Sequence, residues 1–188
     1  MEEYSEKELK KILDKVYEWS VEFSKSRYFE KLTEREKQES EFVITSFAEY
    51  MYVYYGLPPE KWNEKALEEC CLYTLPKKVS ADDSYFKSIS PVLSAFFTFL
   101  DEKNLLKNAL KLRRKIRKIK KRVISNAMDP RYWGPAKRVV MTLLDAGIDI
   151  TDEEELKKGL RLLQQSMGPE EDKTRSKNMK RKKKKRSF

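Results

Sequence analysis

Histidine is absent from the 188 residues. Its absence removes both the side chain whose ordinary pKa lies nearest neutrality and the commonest metal ligand. The only cysteines, Cys70 and Cys71, are adjacent. Neighbours in sequence rarely close an unstrained disulfide, and two thiols do not complete a tetrahedral zinc site, so no metal or other cofactor is expected. A reducing interior fits this usage better than a disulfide-stapled secreted domain. Five glycines are too few for hairpin-rich sheets, and none sits in a loop that could cradle a phosphate. The segment Met1 to Lys7 lacks the basic start and apolar centre of a signal peptide, and no uninterrupted apolar run approaches membrane length. The expectation is a cytoplasmic chain with no transmembrane segment.

What is present is charge and periodic apolarity, with 38% charged and 39% hydrophobic residues. That is the balance of solvated helices with buried stripes, and the length suits one substantial core. The net charge of +10 is uneven along the chain. Residues 1–102 carry 14 basic against 21 acidic side chains, whereas 103–122 carry 11 basic and none acidic. Residues 123–170 are mildly acidic, and 171–188 hold 10 basic against 2 acidic. The positive charge therefore has two homes, one helical and one too poor in apolar residues to fold alone.

Helix signals recur throughout. Ser5 to Glu8 and Thr33 to Glu36 are capping-box patterns, followed by apolar faces at Leu9, Ile12, Leu13, Val16 and Tyr17, and at Phe42, Val43, Phe47, Tyr50, Met51 and Tyr54. Gly56 and Pro58-Pro59 close the second helix. A third helix runs from Pro59 through Trp62, Ala66, Leu67 and Cys70 until Pro76 stops it. Cys70 falls on its inner stripe and reads as a buried, inert thiol, since no base or cationic pocket is at hand. A polar connection follows, and Ser90-Pro91 then supplies an N-cap and first-turn proline for the most buried helix, through Phe96, Phe97 and Leu100. Leu105, Ala109, Leu112, Ile116, Ile119 and Val123 next form a narrow heptad-like seam. Between them, every other position from 111 to 122 is basic: Lys111, Arg113, Arg114, Lys115, Arg117, Lys118, Lys120, Lys121 and Arg122.

The stretch Met128 to Ile150 is the most constrained. Asp129 is an N-cap with Pro130 behind it, Gly134-Pro135 restarts a helix bearing Val139, Val140, Leu143 and Leu144, and Gly147 ends it. Trp62, Asp129, Trp133 and Gly134 read as structural, the aromatics locking corners against the core. Thr151 to Glu154 is a third capping box, for a last helix that fades at Gly168-Pro169. The sum is an all-α, single-domain irregular bundle of about seven helices over residues 1–168, with a disordered Lys/Arg-rich tail over 169–188.

Three segments together carry a resemblance: the Trp-led helix running into Leu75-Pro76-Lys77-Lys78-Val79, the run Phe96-Phe97-Thr98-Phe99-Leu100, and Asp129-Pro130-x-x-Trp133-Gly134-x-Ala136-Lys137 followed by Ala146-Gly147-Ile148-Asp149. From about Trp62 to Leu163 the chain resembles the uncharacterised helical domain that precedes SEC-C zinc motifs in bacterial and archaeal proteins. The resemblance implies an all-helical fold. Metal binding does not transfer, because a Lys/Arg tail stands where those relatives carry cysteines.

The leading functional expectation is a non-catalytic accessory nucleic-acid-binding protein, RNA-associated and indifferent to sequence. Its contacts would come from the basic helix residues above and from Lys180, Arg181, Lys182, Lys183, Lys184, Lys185 and Arg186 in the tail, since clustered cations gain from counterion release. RNA or DNA would be the partner. The alternatives are a protein-interaction module docking through the acidic half or an exposed seam, a polybasic tail on an anionic membrane, and a helix face that is only solvated. The tyrosine run Tyr50, Tyr52, Tyr54, Tyr55 points several ways round a helix and reads as packing rather than base stacking. Catalysis ranks last, because pairs such as Glu68/Glu69 mostly point apart and no histidine accompanies them.

Overall fold

The computed structural model describes residues 5–166, which are helical with no strand among the described residues. The all-α class expected from composition is what forms. In chain order the helices are α1 (Glu6–Phe23), α2 (Arg27–Glu30), α3 (Glu34–Tyr55), α4 (Glu64–Glu69), α5 (Leu75–Lys78), α6 (Asp83–Glu102), α7 (Ala109–Met128), α8 (Pro135–Asp145) and α9 (Glu153–Ser166). They divide into two compact units, split after Arg138. None of these helices is long and apolar enough to cross a membrane. The tail expected to be disordered lies outside the described residues.

In the first unit, local caps set the helix starts. The Ser5 hydroxyl accepts from the Glu8 amide, and Thr33 and Glu36 complete a reciprocal capping box. The buried stripe of α1 is Ile12, Val16, Trp19 and Phe23. Tyr17, expected inside, is 56% exposed because it lies one position off that stripe. On α3, Val43, Ile44, Phe47 and Met51 are buried, while Phe42 and Tyr54 reach solvent in contrast to expectation. Gly56 ends α3 with φ 64°, a left-handed residue that a side chain would strain.

The central helix α6 starts earlier than Ser90-Pro91 suggests. Asp82 caps it by accepting from the Ser84 and Tyr85 amides, and Pro91 lies inside the helix. A missing N–H there releases the carbonyl of Lys87, an exposed residue. From Tyr85 to Leu100 this helix is buried along most of its length, as expected. It ends in a Schellman turn: the Leu105 amide donates to the Leu100 carbonyl, the Asn104 amide to Asp101, and Asn104 takes φ 55°.

Pro76 does not stop the preceding helix. A π-helical turn at Cys70–Thr74 leads into α5, with the Leu75 amide bonded to the Cys70 carbonyl five residues back. Proline at 76 cannot donate to the Leu72 carbonyl, and Asn126 Nδ2 from α7 takes that acceptor at 2.9 Å. A lost local bond is thus replaced across 54 residues of chain.

Cys70 and Cys71 are both fully buried, and burial pushes both thiols above their ordinary pKa. A maleimide should label the folded chain orders of magnitude more slowly than the chain in denaturant. Rapid, pH-sensitive labelling of the native protein, read by mass spectrometry, would contradict the burial.

In the second unit, Gly147 (φ 74°) closes α8 with the Ile148 amide bonded to the Leu143 carbonyl. Leu143 is buried, whereas Leu144, expected on the buried face, is 45% exposed. The cap of α9 is Asp152, which accepts from the Glu154 and Glu155 amides; Thr151 instead bonds to Asp149, so the expected Thr151 box does not form.

Candidate nucleic-acid interface

The basic helix begins four residues later than its apolar spacing suggested. The Schellman turn at Asn104 diverts the chain, leaving Leu105 37% exposed and burying Leu106. From Ala109 onward the seam holds: Ala109, Leu112, Ile116, Ile119, Val123 and Ala127 are all buried. Ser90 Oγ on α6 donates to the Ile116 carbonyl across that contact. Because the seam is consumed inside the first unit, it is not available for coiled-coil pairing with a second chain.

Sequestering one face fixes where the cations go. Lys111, Arg114, Arg117, Lys118, Lys120, Lys121 and Arg122 are exposed, and Arg113 and Lys115 half-buried. Three of the nine are engaged locally. Arg113 reaches Thr98 Oγ1 at 3.3 Å, while Lys115 and Arg122 clasp Glu68 of α4 at 2.9 Å each. The Lys115 ammonium, joined by Arg122, holds the Glu68 carboxyl below its ordinary pKa. The side chains of the other six make no hydrogen bond or ion pair with any described residue. Lys111, Arg114, Lys118 and Lys121 follow at intervals of three, four and three residues, which aligns them as one outward row about 15 Å long. Lys180 to Arg186 lie outside the described residues, so they have no place in this geometry.

Beyond the end of α7, the Asp129-to-Lys137 segment is a corner. Asp129 caps the turn at Pro130–Tyr132 and grips the Arg131 guanidinium, which holds its carboxyl below the ordinary value. Trp133 is half-buried, its Nε1 donating to the Ala127 carbonyl at 2.7 Å. Gly134 donates to the Lys77 carbonyl, and a Cβ there would stand 2.6 Å from that same oxygen, so only glycine fits.

Two features had no counterpart in the sequence reading. Lys137 is 2% exposed, with Nζ 3.1 Å from the Pro76 carbonyl and lying over the Phe86 and Trp133 rings at 4.3 and 5.3 Å from their centroids. Tyr73, 45% exposed, pairs with the half-buried Tyr132, ring centroids 5.9 Å apart. Only the position of Lys137 within the corner motif could have hinted at the first; nothing local signals the second. The tyrosine run divides: Tyr52 is buried and bonded to Glu8, Tyr55 bonds to Thr74, and Tyr54 is 45% exposed with the Lys78 ammonium over its ring.

No family model matches the chain, and no curated protein or solved structure matches it.

Proposed function

We propose that this chain is a non-catalytic accessory nucleic-acid-binding protein, RNA-associated and indifferent to sequence. Its α7 row makes the phosphate contacts, and the Lys180–Arg186 cluster adds charge. The observation that carries this reading is the row of exposed cations with no partner among the described residues, mounted on a helix whose opposite face is buried. One nucleic-acid strand in a duplex presents a phosphate every ~3.4 Å of axis, so about 15 Å of cationic helix faces about four phosphates. Contacts of this kind track backbone charge and carry no base information, which is why no sequence preference is proposed. Glu68, the carboxylate that α7 contacts, is already neutralised by Lys115 and Arg122.

Replacing Lys111, Arg114, Lys118 and Lys121 together with glutamine in the full chain tests the row. If all four meet phosphates, the log–log salt slope for a single-stranded ligand flattens by about 3, at ~0.7 per contact, with the melting temperature unchanged or raised as the like-charge repulsion is removed. An unchanged slope would make the row a solvated face and return the search to a protein partner.

A further inference from the structure

We infer that Tyr73 and Tyr132 form a base-stacking platform at the C-terminal end of α7, on the flank beside the cation row, so that the ligand is single-stranded rather than duplex; this rests on the nucleic-acid reading above. The placement follows from bonded links. The flank of α7 carrying Lys115, Arg122 and Asn126 lies along the helix from Glu64 to Lys78, since the first two bind Glu68 and the third binds the Leu72 carbonyl. Tyr73 is the next residue after Leu72. Tyr132 reaches the same spot from the other side, four residues beyond the last residue of α7. The pair therefore sits where the basic flank runs out, one helical turn past Arg122.

The chemistry of the pair fits an incoming ring better than a structural role. Tyr73 is 45% exposed, although its neighbours Leu72 and Leu75 are fully buried. Neither phenol makes a hydrogen bond to a described residue. The rings are inclined at 37° and Tyr132 is half-buried, so the contact is tilted rather than a closed parallel stack. Base–aromatic stacking tolerates any base, because each offers a π-face, and it needs a base that is not already stacked in a duplex. Two adjoining carboxylates that would repel a strand are occupied, Glu68 by Lys115 and Arg122 and Asp129 by Arg131. A strand whose phosphates follow Lys111 to Lys121 and then cross to the adjoining Arg122 flank would deliver an unpaired base to Tyr73 and Tyr132.

The test compares oligoadenylate with the oligoadenylate–oligouridylate duplex of equal length, by fluorescence anisotropy on the full chain. Tyr73→Ala with Tyr132→Ala should weaken single-strand binding by roughly tenfold or more while leaving the duplex affinity unchanged. Tyr73→Phe with Tyr132→Phe keeps both rings and should restore the parent's single-strand affinity. Equal loss on both ligands, no loss on either, or failure of the phenylalanine pair to rescue would overturn the platform while leaving the phosphate row standing. Absence of salt-sensitive binding of the parent to either ligand would overturn the nucleic-acid reading and the platform together.

Discussion

Trp62→Ala should lower the unfolding free energy by about 3–5 kcal/mol, the range for truncating a large buried aromatic. Trp62 is 1% exposed and packs edge-on against Phe47, centroids 5.0 Å apart, with Phe97 beyond at 6.4 Å. It also ties chain segments together. Its Nε1 donates to the Leu57 carbonyl at 3.1 Å, just after the Gly56 turn, and its own carbonyl accepts from Asn108 Nδ2 at the start of α7. Truncation empties a ring-sized volume and strands an acceptor, and both effects destabilise. Trp62→Phe should recover part of the loss by refilling the space without the N–H. Trp133→Ala should cost less, because that ring is only half-buried. Urea unfolding followed by circular dichroism reads all three. A Trp62→Ala loss below about 1 kcal/mol would show that this ring does not anchor the core.

Lys137→Met should change how stability depends on pH. Burial lowers the Lys137 ammonium from 10.5 to about 8. Below pH 8 both folded and unfolded chains carry the proton, and the folded state bears the full cost of holding the charge away from water. Between about 8 and 10.5 the unfolded chain binds more proton than the folded one, so this group makes stability rise with pH across that window. The rise is at most about 3.5 kcal/mol, since the fall from 10.5 to about 8 corresponds to ~1.4 kcal/mol per pKa unit, and the Pro76 carbonyl and two rings hold the ammonium in place of part of its lost hydration. Methionine fills the same volume without a charge. The variant should therefore exceed the parent most at pH 7, and its advantage should shrink toward pH 10.5. Taking the difference between the two proteins cancels the other lysines and the tyrosines. A difference independent of pH would mean that Lys137 keeps its ordinary protonation equilibrium in the fold.

The features legible in the sequence are those encoded by residues within a few turns of each other. The seam from Ala109 to Val123, the reciprocal cap at Thr33, Pro135 as a first-turn residue and Gly147 as a helix stop are local patterns with one physical solution. Errors arose where a local signal had a distant answer. Pro76 reads as a terminator until Asn126 supplies the Leu72 carbonyl with a donor from another helix. Ser90-Pro91 imitates a helix start, but Asp82 caps eight residues earlier and the buried aromatics carry the helix through the proline. Leu105 fits the seam by spacing, yet Asn104 in a left-handed conformation turns it outward. For the candidate site, the basic positions were legible and their division was not. Which cations are neutralised depends on Glu68, and the pairing of Tyr73 with Tyr132 depends on how two segments meet in space.

The row on α7 also stores electrostatic strain. Neighbouring like charges three and four residues apart each disfavour a helix by ~0.2–0.5 kcal/mol, so Lys111, Arg114, Lys118 and Lys121 work against the helix that displays them. What holds them in line is the seam on the opposite side, from Ala109 to Ala127, anchored on α6. The apolar core thereby acts as a spring compressed against the surface charge, and any polyanion laid along the row relaxes it. If the proposed nucleic-acid binding holds, part of its affinity would be released from the fold itself, in addition to what the contacts supply.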